Sequence, residues 1–461
     1  MNLRRWLTPG IGIKRWLVVV FAGLLLLAVA FAHFLRQITR DFEPTGLAGA
    51  LIDVLTLQFL PFALRGFAAG SVGVILVLFG SYRAVRVLTD PLRAPDPEQP
   101  LVELIYQKRF LARGPRIVAI GGGTGLSILL RGLKEHTSNL TAIVTVADDG
   151  GSSGVLRTEL GIPPVGDIRN CIVALADAEP LMSEVLQYRF PDTHDGEPSG
   201  LAGHALGNLL IAAMTAVEDG DFEDGIRLMN RILAVRGQVV PVSPTPLTLH
   251  ARLADGTVVD GQSQVMRTHG IDRVWITPAD VQASDDALAA IAEAELIVLG
   301  PGSLYTSLLP SLLIPAIRDA VEHALAPRIF VCNVATQEGE TTGFDLADHL
   351  EALASSSSAG LVDIVLANNH MAGGTDRLTG VAGPTEGAGG EAAEARSPRP
   401  VKLRWPPAVD PVPRLILDDV VDPANPHHHD PSRLALALMR ALEGETGLRR
   451  RTAGRSATRS A

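Results

Sequence analysis

Residues 116–120, RIVAI, run straight into Gly121-Gly122-Gly123-Thr124-Gly125 and then into LSILLRGLKEH, which has a helical period. A short apolar run, a glycine cluster and an amphipathic segment in that order read as strand, tight loop and helix, the opening of a βαβ unit. Further strand-length apolar runs follow at 140–147 (LTAIVTVA), 295–300 (ELIVLG), 328–334 (RIFVCNV) and 362–368 (VDIVLAN). They are continuously apolar rather than alternating, as expected of strands covered on both faces. The pattern predicts an α/β fold: a Rossmann-like, doubly wound, mostly parallel sheet.

Between residues 236 and 277 the texture becomes Pro-rich and alternating, with DGTVVDG as a hairpin signal, so a small antiparallel insertion is expected there. Residues 371–400, rich in Gly, Ala, Glu and Pro, read as a low-complexity insertion. Residues 431–443 return to a helical period, and the α/β domain is expected to span 116–446. From Gly447 the chain carries five arginines and no acid, which reads as a basic disordered tail over 447–461.

Upstream lie two long apolar runs, at about 16–35 and 62–82. Each is about the length that crosses a bilayer as a helix. The first begins after Arg4, Arg5, Lys14 and Arg15, as a secretory signal would, and Ala30-Phe31-Ala32 resembles a cleavage site. Its length and the second run favour two spans. Basic residues flank the outer ends of both, with Arg83, Arg86 and Arg93 after the second, which predicts an N-terminal membrane hairpin over 1–88 with both ends in the cytoplasm. Residues 89–115 begin with four prolines in TDPLRAPDPEQP and read as a linker. The expected location is the cytoplasmic membrane, multi-pass, with the α/β domain in the cytoplasm.

Composition narrows the chemistry. Forty basic against fifty acidic residues give a net charge of −10, which argues against a nucleic-acid partner. Two cysteines, Cys171 and Cys332, exclude a disulfide framework or a thiolate zinc cluster. Lysine occurs only at 14, 108, 134 and 402, so no Walker or Schiff-base lysine can come from 135–401. A phosphate bound there has to be held by Arg, by backbone N–H groups at helix starts, or by a metal.

Gly121 to Gly125 are placed for that task, because glycines at a strand-to-helix turn let N–H groups approach a phosphate. A tight turn that binds nothing would look the same. Asp148-Asp149-Gly150-Gly151-Ser152-Ser153-Gly154 follows the second strand. There an acid can accept from ribose hydroxyls, two adjacent carboxylates can hold Mg2+, or an Asp-Gly turn can simply cap a helix. Asp167 in Gly166-Asp167-Ile168-Arg169-Asn170 reads as a cap. His204 and Asn208, in GHALGN, are spaced to reach one ligand from a helix face. Gly300-Pro301-Gly302-Ser303 forms a second glycine loop at a strand end, and Asn333, Thr336 and Gln337 end the next strand. Two glycine loops at strand ends converge on one edge of a parallel sheet, where such folds bind ligands. The run His427 to Asp430 is not taken as a metal site, since consecutive histidines seldom face one ion.

The strings GGGTGLSILLRGLKEH, VADDGGSSG, PPVGDIRNC, GHALGNLL, GPGSLYTSLLP, FVCNVATQEGET and HDPSRLA together resemble the YvcK/CofD-like family, on the YvcK side. The resemblance implies a Rossmann-like core with an edge pocket. It places Gly121 to Gly125, Asp148, Asp149, Asn170, Asn208 and Gly300 to Ser303 in that pocket, and His428 stands where relatives tend to carry Arg. CofD-type members transfer a phospholactyl group to the deazaflavin Fo. YvcK-type members, the gluconeogenesis factors, bind UDP-sugars such as UDP-N-acetylglucosamine and support cell shape and growth on gluconeogenic carbon. The expectation is a membrane-tethered, UDP-sugar-binding regulator that need not be an enzyme, a homo-oligomer working with cell-envelope synthesis proteins. The alternatives are a Mg-dependent CofD-like transferase, with Asp148 and Asp149 holding the metal, and a non-binding membrane scaffold.

Overall fold

The computed structural model describes residues 110–176, 179–194, 197–369 and 398–457, with side chains to residue 445, together with Leu24 and Ala28. The apolar run at 62–82, and nearly all of the run at 16–35 and of the 371–400 insertion, lie outside the described residues. No helix among the described residues is long and apolar enough to cross a membrane. The chain divides into two units, 1–109 and 110–461. The second begins at Phe110, inside the stretch read from sequence as linker. Leu111 is buried, and its carbonyl accepts from the Ser138 N–H.

Seven parallel strands make the central sheet: β1 (Ile117–Gly121), β2 (Leu140–Val144), β5 (Gln238–Pro241), β9 (Leu296–Leu299), β10 (Arg328–Val331), β11 (Ile364–Asn368) and β12 (Arg414–Asp418). Their order is β12-β11-β10-β9-β1-β2-β5. The strands β1, β2, β9 and β11 are buried at every position, which is why their sequences are apolar without alternation. Two short strands, β3 (Thr193–His194) and β4 (Glu197–Pro198), pair separately. The insertion is a three-stranded antiparallel sheet of β6 (Thr248–Leu253), β7 (Val258–Asp260) and β8 (Ile271–Thr277), in the order β7-β6-β8. It starts later than the Pro-rich texture suggests. Residues 238–241 belong instead to the edge of the main sheet, where Pro241 ends a strand that needs no further N–H donor.

The helices that position the site are α1 (Gly123–Leu133), α2 (Gly151–Leu160), α3 (Gly166–Leu175), α4 (Glu179–Gln187) and α5 (Leu206–Val217). Helix α1 buries Leu126, Leu129, Leu130 and Leu133, a stripe at three- and four-residue spacing that faces the sheet. Its other side meets the C-terminal helix Pro431–Ala457, which continues through Arg449, Arg450, Arg451 and Arg455 of the stretch read from sequence as a disordered tail. At that crossing Gly132 is indispensable. A Cβ there would land on the Pro431 carbonyl oxygen and press on Ala435.

The Gly132→Ala variant tests this contact. Alanine improves helix propensity by about 1 kcal/mol, whereas forcing a methyl against packed backbone costs about 1–3 kcal/mol. Urea denaturation should show a net loss of stability; a more stable variant would refute the close approach.

Candidate functional site

From β1 the chain moves outward through β2 to β5, returns to β9 on the other flank of β1, and moves outward again to β12. The β1–β9 pair is therefore the topological switch point, where the loops leaving adjacent parallel strands diverge and leave a crevice. Both sequence-predicted glycine loops leave from this pair. They touch: a Cβ on Gly125 would come within 2.7 Å of the Pro301 oxygen and 2.9 Å of the Gly302 Cα. Gly123 (φ +64°) and Gly302 (φ +148°) adopt backbone conformations that disfavour any side chain.

The crevice opens into a cleft of about 570 Å3. Gly122, Gly123, Thr124 and Gly125 line it from one side, Gly302 and Ser303 from another, with Asp148, Asp167 and Asn333 between them. Gly121 and Gly300 lie beneath, joined through the Gly300 N–H donating to the Ile120 carbonyl at 2.9 Å. Asn333 works as a clamp. Its Oδ1 accepts from the Gly302 N–H at 3.2 Å and its Nδ2 donates to the Gly302 carbonyl at 2.9 Å. Gln337 Nε2 donates to Ser303 Oγ at 2.7 Å. Among the described residues that line the cleft there is no Arg or Lys.

Three carboxylates line this space, those of Asp148, Asp167 and Glu338. Asp148 Oδ1 accepts from the Gly150 N–H at 2.9 Å, and burial raises its carboxyl above the usual range. Asp167, which reads from sequence as a mere cap, is the second. It accepts from the Gly123 N–H, and burial, helped by the charge of Asp148, pushes it up to about 6. Asp149 turns the other way, where its Oδ1 accepts from the Ser263 N–H at 2.8 Å beside Gly261 and fastens the antiparallel insertion. The acidic pair at the cleft is thus Asp148 with Asp167 rather than the adjacent Asp148 and Asp149. Among the described residues no group of three or more His, Cys, Asp or Glu could cage a metal. Two carboxylates suit Mg2+, which keeps several waters and commonly shares its ligand sphere with substrate phosphates.

Asn170, His204 and Asn208 come together beside the cleft without lining it. His204 precedes α5 instead of lying on it, yet it and Asn208 still converge on one atom. Ser152 Oγ lies 3.0 Å from His204 Nδ1 and 3.0 Å from Asn208 Nδ2. Arg169 Nη1 donates to Asn208 Oδ1 at 2.8 Å, and its Nη2 to Asn170 Oδ1 at 3.0 Å.

Glu340 had no distinguishing signal in the sequence. Its carboxylate is 2% exposed and accepts from the Tyr305 N–H at 3.1 Å and from the Thr306 hydroxyl. It therefore fills the start of the π-helical turn Leu304–Leu308 with an internal hydrogen-bond acceptor. At the start of α1 the N-cap Gly122 offers no side chain, and the Gly123 N–H goes to Asp167. The histidine run also reaches the cleft, with His427 and His428 exposed at its wall. His429 is buried, its Nε2 donating to the Cys332 carbonyl at 3.2 Å, and burial pulls it down to about 4, so it is neutral at pH 7.

Burial pushes Glu340 from 4.5 up to about 7. Between those values the folded chain holds a proton that the unfolded chain has released, so the Glu340 contribution to stability is present below pH 4.5 and lost as pH rises through 7. Relative to the wild type, Glu340→Gln should become progressively more stable as pH rises from 4.5 to 8 in chemical denaturation. A stability difference that does not vary with pH would refute a buried, titrating Glu340.

The pattern that defines 2-phospho-L-lactate transferase CofD matches residues 117–377. A Bacillus subtilis protein named gluconeogenesis factor is 48% identical over 261 residues, which cover 56% of this chain and 80% of that protein. The protein of the same name from Halalkalibacterium halodurans is 49% identical over 255 residues, covering 55% and 77%. The crystal structure of a UPF0052 family member from Bacillus halodurans superposes with a TM-score of 0.60 at 41% identity, covering 71% of this chain and 99% of that one.

Proposed function

The chain belongs to the CofD family, on the side of the gluconeogenesis factors, and from that premise we propose that it is a UDP-sugar-binding regulator of envelope synthesis and carbon metabolism. The observation that carries this reading is the convergence of two glycine loops on a cleft at the switch point, at the α1 N-terminus where Asp167 engages the Gly123 N–H. Such a helix start favours a diphosphate through backbone N–H groups and the helix dipole. The hydroxyls of Thr124 and Ser303 add donors. Asp148, held by the Gly150 N–H, is placed to accept from a ribose hydroxyl or to hold a divalent cation that neutralises the diphosphate. No nucleophile or base is required for such a sensor.

In this reading the two apolar runs upstream tether the domain to the cytoplasmic membrane, where a homo-oligomer can meet envelope-synthesis proteins. A CofD-like transferase is the second reading, favoured by the pairing of Asp148 with Asp167 across the cleft. Their carboxylates would hold Mg2+, and the metal would supply charge stabilisation at a phosphoryl group. The residues themselves would position the phosphodiester, both carboxylates being ionised where they hold the metal.

Calorimetry on the full-length protein with UDP-N-acetylglucosamine, UDP-glucose, GTP and Fo, with and without Mg2+, separates these readings. Saturable UDP-sugar binding without turnover is expected. Gly125→Ala, which wedges the two loops apart, should weaken that binding about tenfold or more, equivalent to about 1.4 kcal/mol. Mg2+-dependent Fo binding would favour the transferase, and no binding by any of the four would leave the scaffold.

A further inference from the structure

The C-terminal helix Pro431–Ala457 runs for 27 residues, about 40 Å at about 1.5 Å per residue. Its first half is anchored in two ways. Leu434, Leu438 and Ala441 are buried, a stripe at three- and four-residue spacing. Its charged residues are taken up by the body: Arg433 pairs with Asp419 at 2.5 Å, Arg440 with Asp418 at 3.2 Å and Glu445 with Arg414 at 2.8 Å.

Neither pattern continues in the sequence. Carried forward two helical turns, the stripe becomes Ala441, Glu445 and Leu448; two turns further it is Leu448, Thr452 and Arg455. Past Leu448 the helix therefore has no apolar stripe to bury. Arg449, Arg450, Arg451 and Arg455 follow instead, with no acid anywhere in 447–461. Arg451 and Arg455 stand at i and i+4, where like charges oppose a helix, and Gly447 and Gly454 oppose it as well. The helix dipole rewards a cation only in the last turn, so it accounts for Arg455 and not for the three arginines two turns earlier. What this segment lacks is an anionic surface.

We propose that the arginine end of this helix, Arg449 to Arg455, is a docking surface for an anionic lipid bilayer. The proposal rests on the membrane-tethered part of the reading above and adds a second point of attachment. Leu448, Arg451 and Arg455 share one helix face by spacing, the pattern of a helix lying at a membrane interface. Each basic residue near an anionic leaflet adds to the attraction, over a range set by the screening length. A nucleic acid would meet a chain whose net charge is −10, whereas a bilayer needs only this end to approach. The tether favours the bilayer further. Two apolar runs of membrane length, the second followed by Arg83, Arg86 and Arg93, keep the segment at high effective concentration beside a cytoplasmic leaflet. Residues 89–109, read from sequence as linker, reach about 65 Å at about 3.1 Å per residue. A domain of this size has a radius of gyration of about 20 Å, so the linker is long enough for this face to meet the membrane.

The full-length protein carrying Ser456→Cys takes an environment-sensitive dye at that position alone, because Cys171 and Cys332 are 0% exposed. The labelled chain is reconstituted in nanodiscs of phosphatidylcholine alone or of an equimolar mixture with phosphatidylglycerol. Dye emission should shift to the blue in the mixture only. About 1 M NaCl, where the screening length falls to about 3 Å, should abolish the shift. Arg449→Gln, Arg450→Gln, Arg451→Gln and Arg455→Gln combined should abolish it too, with a cooperative unfolding transition retained. Equal emission in the two lipid compositions would overturn the proposal, as would a shift in the mixture that survives loss of the four arginines. A shift produced by duplex DNA and not by phosphatidylglycerol would assign the segment to nucleic acid and overturn it as well. Extraction of cell membranes with alkaline carbonate reads the tether independently: release of the chain would contradict the membrane-tethered reading, and the same dye measurement with vesicles of the two compositions would still decide the arginine end.

Discussion

Everything at the site depends on how closely two loops approach where β1 and β9 lie side by side. Gly125 sits against Pro301 and Gly302 with no room for a methyl group, and the Asn333 side chain grips Gly302 by both its N–H and its carbonyl. Hydrogen bonding of that kind replaces what a larger residue would do by packing. It holds the second loop in a conformation, with Gly302 at positive φ, that backbone preference alone would not select. The parallel sheet supplies the frame, since strands buried on both faces cannot shift register without exposing core.

The charge distribution then determines what the cleft can accept. With Asp148 and Asp167 facing inward and no lining Arg or Lys among the described residues, the cleft is not a generic anion trap. An anion has to use N–H groups at the start of α1, the exposed His427 and His428, or a divalent cation held by the acids. Glu340 sharpens the contrast between the two loops: its carboxylate already occupies the start of the turn at Leu304, so the positive end there is used internally. At the α1 start Asp167 takes the Gly123 N–H, so a ligand phosphate there has the remaining N–H groups of the loop to address.

Much of the frame was legible in the sequence because it rests on local physics. The continuous apolar runs at β1, β2, β9, β10 and β11 announced a parallel sheet, and glycine at 121–125 and 300–302 announced tight strand exits. The edge strands β5 and β12 were not legible. QVVP is short and ends in proline, and RLILD, with a neighbouring strand on one side only, is at most half-buried along its length. The roles of the acids depended on tertiary placement: whether Asp149 or Asp167 faces the cleft is decided by Ser263, which lies 114 residues beyond Asp149 and claims its carboxylate. Glu340 was invisible for the same reason. An acid in TQEGET looks like surface until the turn at 304–308 is folded over it.

The most direct test of the central claim, that the two glycine loops act as one binding element, is amide hydrogen exchange of the full-length protein with and without UDP-N-acetylglucosamine. Added ligand should slow exchange at 122–127 and 300–307 together, in proportion to occupancy. Protection confined to one loop, or protection elsewhere with both loops unchanged, would contradict it.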